Sequence, residues 1–132
     1  MHMKLGTTLK IKGKVATNAK WMEINLGQSA DKLNLHFNLG FPDSVIVCNS
    51  KNGGWGEEQR ISCSAHWVKV TVSSKNKEPW IDANFEITYE KQQFTVKLPD
   101  RYEVTFPNRL GCDPLRYLST KGNFRVSSVT FD

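Results

Sequence analysis

His36 and Asn38 stand two residues apart, Asn49 follows eleven residues later, and Trp55, Glu58 and Arg60 come close behind. In chemical terms this is a set of directed hydrogen-bonding groups beside one large aromatic plane. Asn and Arg present donors in fixed directions, Glu accepts, and His does either according to its tautomer. Sugar hydroxyls require such partners, and the C–H face of a pyranose packs on an aromatic ring. Taken singly, each residue has an ordinary reading: a surface strand histidine, a half-buried tryptophan, an exposed Glu–Arg pair. Their joint placement is what points to a ligand.

Other chemistries find less support. Cys48, Cys63 and Cys112 are an odd set without CxxC spacing, so neither a zinc site nor a complete disulfide framework follows, and free, mostly buried thiols are expected. Cys63 and His66 lie three apart, which on a strand turns them to opposite faces and spoils a nucleophile–base pair. Glu57 and Glu58 are adjacent, so they cannot flank one glycosidic bond as a hydrolase needs. Non-enzymatic binding is therefore the expectation, with no cofactor and no metal. The net charge of +5 comes from scattered lysines and arginines rather than a dense basic run, which argues against nucleic acid. No stretch approaches the roughly 20 apolar residues of a membrane span, and no secretory h-region opens the chain, so cytosolic synthesis is expected.

The elements that must position these residues read as strands. Leu33, Leu35, Phe37 and Leu39 alternate with Asn34, His36, Asn38 and Gly40, one face for a core and one for solvent. Leu9 and Ile11 alternate with lysines, and Met22, Ile24 and Leu26 with Trp21, Glu23 and Asn25. Further strands are expected at Val45–Asn49, through Arg60 and Ile61, around Val68, Val70 and Val72, and at Phe85–Tyr89, Phe94–Leu98 and Tyr102–Phe106. Turn signals separate them at Pro42-Asp43, Asn52-Gly53-Gly54, Ser73 to Pro79, Lys91-Gln92 and Pro99-Asp100. Asp113-Pro114 predicts one short helical turn through Leu118. A final strand carries Phe124 and Val126, then Val129 and Phe131. About ten strands in 132 residues predict one all-β domain over 1–132, a jelly-roll sandwich of two antiparallel sheets.

Within this frame the motifs become specific. His36-Phe37-Asn38, Val47-Cys48-Asn49 and Trp55-Gly56-Glu57-Glu58-Gln59-Arg60, followed by Phe94 to Asp100, Phe106-Pro107-Asn108-Arg109-Leu110 and Val129 to Asp132, closely resemble the galectin signature in type and order. The resemblance covers most of the chain from residue 33 onward. It implies a galectin-type jelly roll and a lectin for β-galactosides of the lactose or N-acetyllactosamine type. His36 and Asn38 would bond the axial 4-hydroxyl of galactose, Asn49 the 6-hydroxyl, and Trp55 would stack on the ring. Glu58 and Arg60 would reach the neighbouring sugar, their ion pair orienting both side chains. Also implied are galactose-containing glycans as partners, a homodimer joined by edge pairing of the terminal strands, and export from the cytoplasm by a non-classical route.

The chain departs from the pattern where the family has an Arg two residues after the Asn of His-x-Asn, because Gly40 stands there. Weakened or altered specificity is expected, and the alternative is a galectin-like structural or protein-interaction protein without useful sugar binding. The Phe41–Ser44 connection is short and carries no extra sugar-contacting histidine. The 62–89 stretch is longer than expected and contains Trp67 and Trp80; tryptophans 21, 67 and 80 read as core or interface residues.

Overall fold

In the computed structural model, residues 1–63 and 80–132 are described. The expectations for residues 64–79, including His66, Trp67, the strand around Val68 to Val72 and the turn to Pro79, lie outside them. The strands are β1 (Thr8–Ala16), β2 (Trp21–Ser29), β3 (Lys32–Gly40), β4 (Val45–Asn52), β5 (Gly54–Trp55) and β6 (Gln59–Ser62). They continue with β7 (Trp80–Tyr89), β8 (Gln93–Lys97), β9 (Glu103–Pro107), β10 (Tyr117–Gly122) and β11 (Phe124–Phe131).

Two antiparallel sheets form, one in the order β11-β1-β7-β8-β9 and the other β10-β2-β3-β4-β5, with β6 also pairing along β4. Alternation explains the layering. Leu9, Ile11 and Val15 of β1, Met22, Ile24 and Leu26 of β2, and Leu35, Phe37 and Leu39 of β3 all turn into one core, together with Phe85, Ile87, Phe94, Val96 and Phe106. Each buried aromatic or branched side chain there contributes about 1.5–3 kcal/mol. Phe85 joins the sheets by an edge-to-face contact with Phe37 at 6.2 Å, and within its own sheet it meets Phe124 edge-to-face at 5.5 Å.

Two places depart from the expected alternation. In β3, Asn34 pairs with neither neighbour: Leu35 opposes Leu26, while Leu33 opposes Gly27 and Lys51. This bulge carries Leu33 off the core face and onto the outer face, correcting the simple period of two. Gly27 is required beside it, since a Cβ there would collide with the Lys32 carbonyl oxygen and lie 2.7 Å from Leu33 Cα. In β11 a second bulge leaves Ser127 outside the register with β1, so that Val126 opposes Gly13 and Ser128 opposes Lys12. Val126, Val129 and Phe131 therefore all lie on the core side, yet at this sheet edge they are 36–44% exposed.

The described residues contain no helix, so the turn expected over Asp113–Leu118 is corrected. Leu115 is buried and exchanges two backbone hydrogen bonds with Met3, at 2.9 and 2.8 Å. The Tyr89 hydroxyl donates to the Asp113 carbonyl at 2.8 Å, and Gln28 Nε2 to the Pro114 carbonyl at 2.8 Å. Tertiary partners thus satisfy the carbonyls that a helix would have turned inward. Tyr117 already belongs to β10, a strand the sequence reading omits.

Candidate functional site

The outer face of the β10-β2-β3-β4 sheet is organised in rows, because register partners share a face. One row runs Ser119–Asn25–His36–Asn49 and the next Lys121–Glu23–Asn38–Val47–Arg60. On the far side of His36 lies the row Tyr117–Gly27–Leu33–Lys51–Trp55. Strand pairing therefore brings His36, Asn38, Asn49, Trp55 and Arg60 to one face, and Glu58 joins them from the loop between β5 and β6.

His36 has the most constrained geometry. Its Nδ1 lies 2.6 Å from Asn25 Oδ1. Asn25 Nδ2 donates to Glu23 Oε2 at 2.8 Å and Ser119 Oγ at 3.1 Å, so its oxygen is the end that faces the ring. Nδ1 must then carry the hydrogen, leaving Nε2 as an acceptor in the neutral ring. Burial pushes the His36 pKa below its usual 6.5; Glu23 opposes that shift, and Lys121 and Lys51 reinforce it. The ring is neutral near pH 7.

Trp55 is 54% exposed and meets His36 edge-on at a centroid distance of 4.8 Å, while Lys51 Nζ stands 5.2 Å from its ring. Asn49 Nδ2 donates to the Gly56 carbonyl at 3.0 Å, which spends one amide hydrogen and leaves the other. Arg60 Nε donates to Glu58 Oε1 at 2.6 Å; both are exposed, so the pair orients these side chains more than it stabilises the fold. His36, Val47, Asn49, Trp55, Gly56 and Glu58 line a groove of about 400 Å³. Asn38 and Arg60 flank it in the next row, and among the described residues Asn38 makes no side-chain hydrogen bond.

Several supporting residues escape a motif reading. Asn25 and Glu23 orient His36 from β2; their alternation with Met22 and Ile24 was the available signal. Arg109 Nη1 donates to the Glu57 carbonyl at 2.7 Å, Ser50 Oγ at 3.3 Å and Asn49 Oδ1 at 3.4 Å, with its guanidinium 4.6 Å from the Phe106 ring. It ties the loop bearing Glu58 to β4; the Phe106–Leu110 motif contains it, but the motif alone assigns it no such task. Among the described residues no group of three or more His, Cys, Asp or Glu is placed to hold a metal, and no helix is long and apolar enough to cross a membrane. Cys48 is a buried free thiol, Cys63 is buried and Cys112 is exposed; burial pushes the Cys48 thiol up to about 12.

Directed polar groups around an open aromatic, on the face of a two-sheet sandwich, define a class of non-covalent binding protein. The profile of the galactoside-binding lectins matches residues 1–131, and the chain belongs to that family, the galectins, which are lectins rather than enzymes. It is similar to human (Homo sapiens) galectin-2, 48% identical over 129 residues that cover 97% of this chain and 89% of the relative. The crystal structure of chicken galectin 2 superposes with a TM-score of 0.82 at 38% identity, covering 100% of this chain and 94% of that one. CG-16, a homodimeric agglutinin from chicken liver, matches with a TM-score of 0.81 at 32% identity, covering 100% and 95%.

Proposed function

We propose that this chain, as one domain over residues 1–132, binds β-galactosides of the lactose or N-acetyllactosamine type without altering them. The observation that carries this reading is the groove in which the free Nε2 of His36, the spare amide hydrogen of Asn49 and the exposed Trp55 converge. In this reading His36 Nε2 accepts from the axial 4-hydroxyl of galactose, to which Asn38 also bonds, Asn49 donates to the 6-hydroxyl, and the apolar face of the sugar rests on Trp55. Glu58 and Arg60 contact the adjoining sugar. Because all of these groups but Glu58 sit on paired strands, little ordering is left to be done on binding.

Gly40 lowers the affinity. The missing guanidinium would have supplied a charged hydrogen bond, worth about 1.5–3 kcal/mol. That deficit is also what favours the second reading, a structural or protein-interaction role without useful sugar binding. The apolar edge of β11, with Val126, Val129 and Phe131 exposed, fits a homodimer joined through the terminal strands, as CG-16 is homodimeric. Two outward-facing sites would then cross-link glycans and regain avidity. Glycans would be met outside the cell after cytosolic synthesis and non-classical export.

Calorimetric titration with lactose, beside mannose and repeated for Trp55→Ala, tests the reading. Lactose is expected to bind the native chain, and at least tenfold more weakly after Trp55→Ala. Silence with both sugars would favour the structural role, and heat with mannose alone would mean a shifted specificity.

A further inference from the structure

Trp55 is a wall shared by two hollows on the outer sheet face. His36, Asn49 and Glu58 line the groove on one side, and Leu33, Lys51 and Tyr117 line a smaller hollow of about 80 Å³ on the other. Lys51 is the register partner of Trp55 and places its Nζ 5.2 Å from the ring centre. It lines the second hollow and not the groove, so the cation stands behind the indole. Its side chain is only 25% exposed, low for a lysine on an open sheet face.

The lysine is held at both ends. Leu33 is 5% exposed although it lies on the outer face; of its two register partners Gly27 has no side chain, and the Lys51 stem is the cover that the register supplies. The β3 bulge creates this seat, because strict alternation from His36 would put the amide of Asn34 where Leu33 stands. Asn34 is instead buried, and among the described residues its Oδ1 has no partner, a cost that goes with the bulge. At the charged end, the Asp31 carboxylate lies 3.8 Å from Lys51 Nζ. The Asp31 backbone carbonyl also accepts from the Gly53 N–H at 2.8 Å, joining the β2–β3 turn to the turn that leads into Trp55.

We infer that Lys51 is a positioning residue for Trp55: seated on Leu33 and tethered by Asp31, it braces the indole from behind by a cation–π contact and keeps the opposite ring face turned to the sugar. The inference rests on the galactoside reading, and it gives the β3 bulge a part in binding, since the bulge supplies the seat.

The test is lactose calorimetry on the native chain, Lys51→Met and Lys51→Arg, with Lys51→Met repeated in the Trp55→Ala background. Methionine keeps an apolar stem over Leu33 and removes the charge. Lys51→Met should bind lactose about two- to fivefold more weakly, the span that an exposed cation–π contact gives, while Lys51→Arg, still a cation, should stay close to the native chain. In the Trp55→Ala background Lys51→Met should have no further effect, because the ring it braces is gone. With no sugar present, the nitrogen-relaxation order parameter of the Trp55 indole should fall in Lys51→Met and hold in Lys51→Arg, and the urea midpoint of both should match the native chain. Full lactose affinity or an unchanged indole order parameter in Lys51→Met would overturn the brace alone. So would an equal loss with and without Trp55, a loss in Lys51→Arg as large as in Lys51→Met, or a urea midpoint lowered by Lys51→Met. A native chain that binds no lactose would overturn the galactoside reading, and this inference with it.

Discussion

Gly40→Arg is the substitution on which the affinity argument turns. The backbone at Gly40 is not in the left-handed region, and among the described residues the only atom within 4 Å of an added Cβ is the Val45 carbonyl oxygen at 3.6 Å, an ordinary van der Waals contact. Position 40 shares the outer face with Asn38 and His36, so a guanidinium there rises beside the groove instead of entering the core. A charged hydrogen bond to a sugar hydroxyl contributes about 1.5–3 kcal/mol, and ordering the long side chain costs up to about 1.5–2 kcal/mol. The balance is about 1 kcal/mol, or roughly fivefold tighter lactose binding. Replacing Gly40, the last residue of β3, should also raise folding stability by about 0.4–1 kcal/mol, chiefly by restricting the unfolded chain. Calorimetry reads the first effect and urea unfolding the second. A variant that is at least as stable but binds lactose no better would refute the claim that the missing guanidinium limits affinity. A destabilised variant would refute the claim that the site is open.

Three further outcomes follow from the same geometry. Lactose affinity should hold from about pH 8 to 6.5 and fall on further acidification, because protonating His36 converts the Nε2 acceptor into a donor. The lowered pKa also means that below 6.5 the unfolded chain binds protons before the folded one does, so stability should decline over the same acid range, and a flat pH profile of affinity would refute the tautomer assignment. Arg109→Ala should weaken lactose about fivefold and shift the Asn49 side-chain amide resonances, since one guanidinium nitrogen bonds Asn49, Ser50 and Glu57 together. Gly27→Ala should cost about 1–3 kcal/mol in denaturant unfolding, because the added methyl enters the backbone of the β3 bulge; a neutral result would contradict that bulge.

Local pattern carried the main lines of this protein. The alternation of Leu35, Phe37 and Leu39 with His36, Asn38 and Gly40 follows from the pleat alone, so the sheet, its polar face and the substitution at 40 are visible in the chain. The β11 bulge is legible too, because the apolar frame moves from Phe124 and Val126 to Val129 and Phe131. The bulge at Asn34 leaves no such trace. Leu33 is apolar on either face, and only the pairing of Leu33 with Lys51 and His36 with Asn49 reveals the extra residue. The helix signal at Asp113-Pro114 is a genuine local preference, but Met3, Gln28 and Tyr89 claim that segment's backbone from distant parts of the chain. The orientation of His36 by Asn25 and the tie from Arg109 to Asn49 were likewise decided in three dimensions. The sequence determined which faces are apolar and which groups can bond; which of those groups meet depends on strand register and loop closure, set by contacts between residues far apart in the chain.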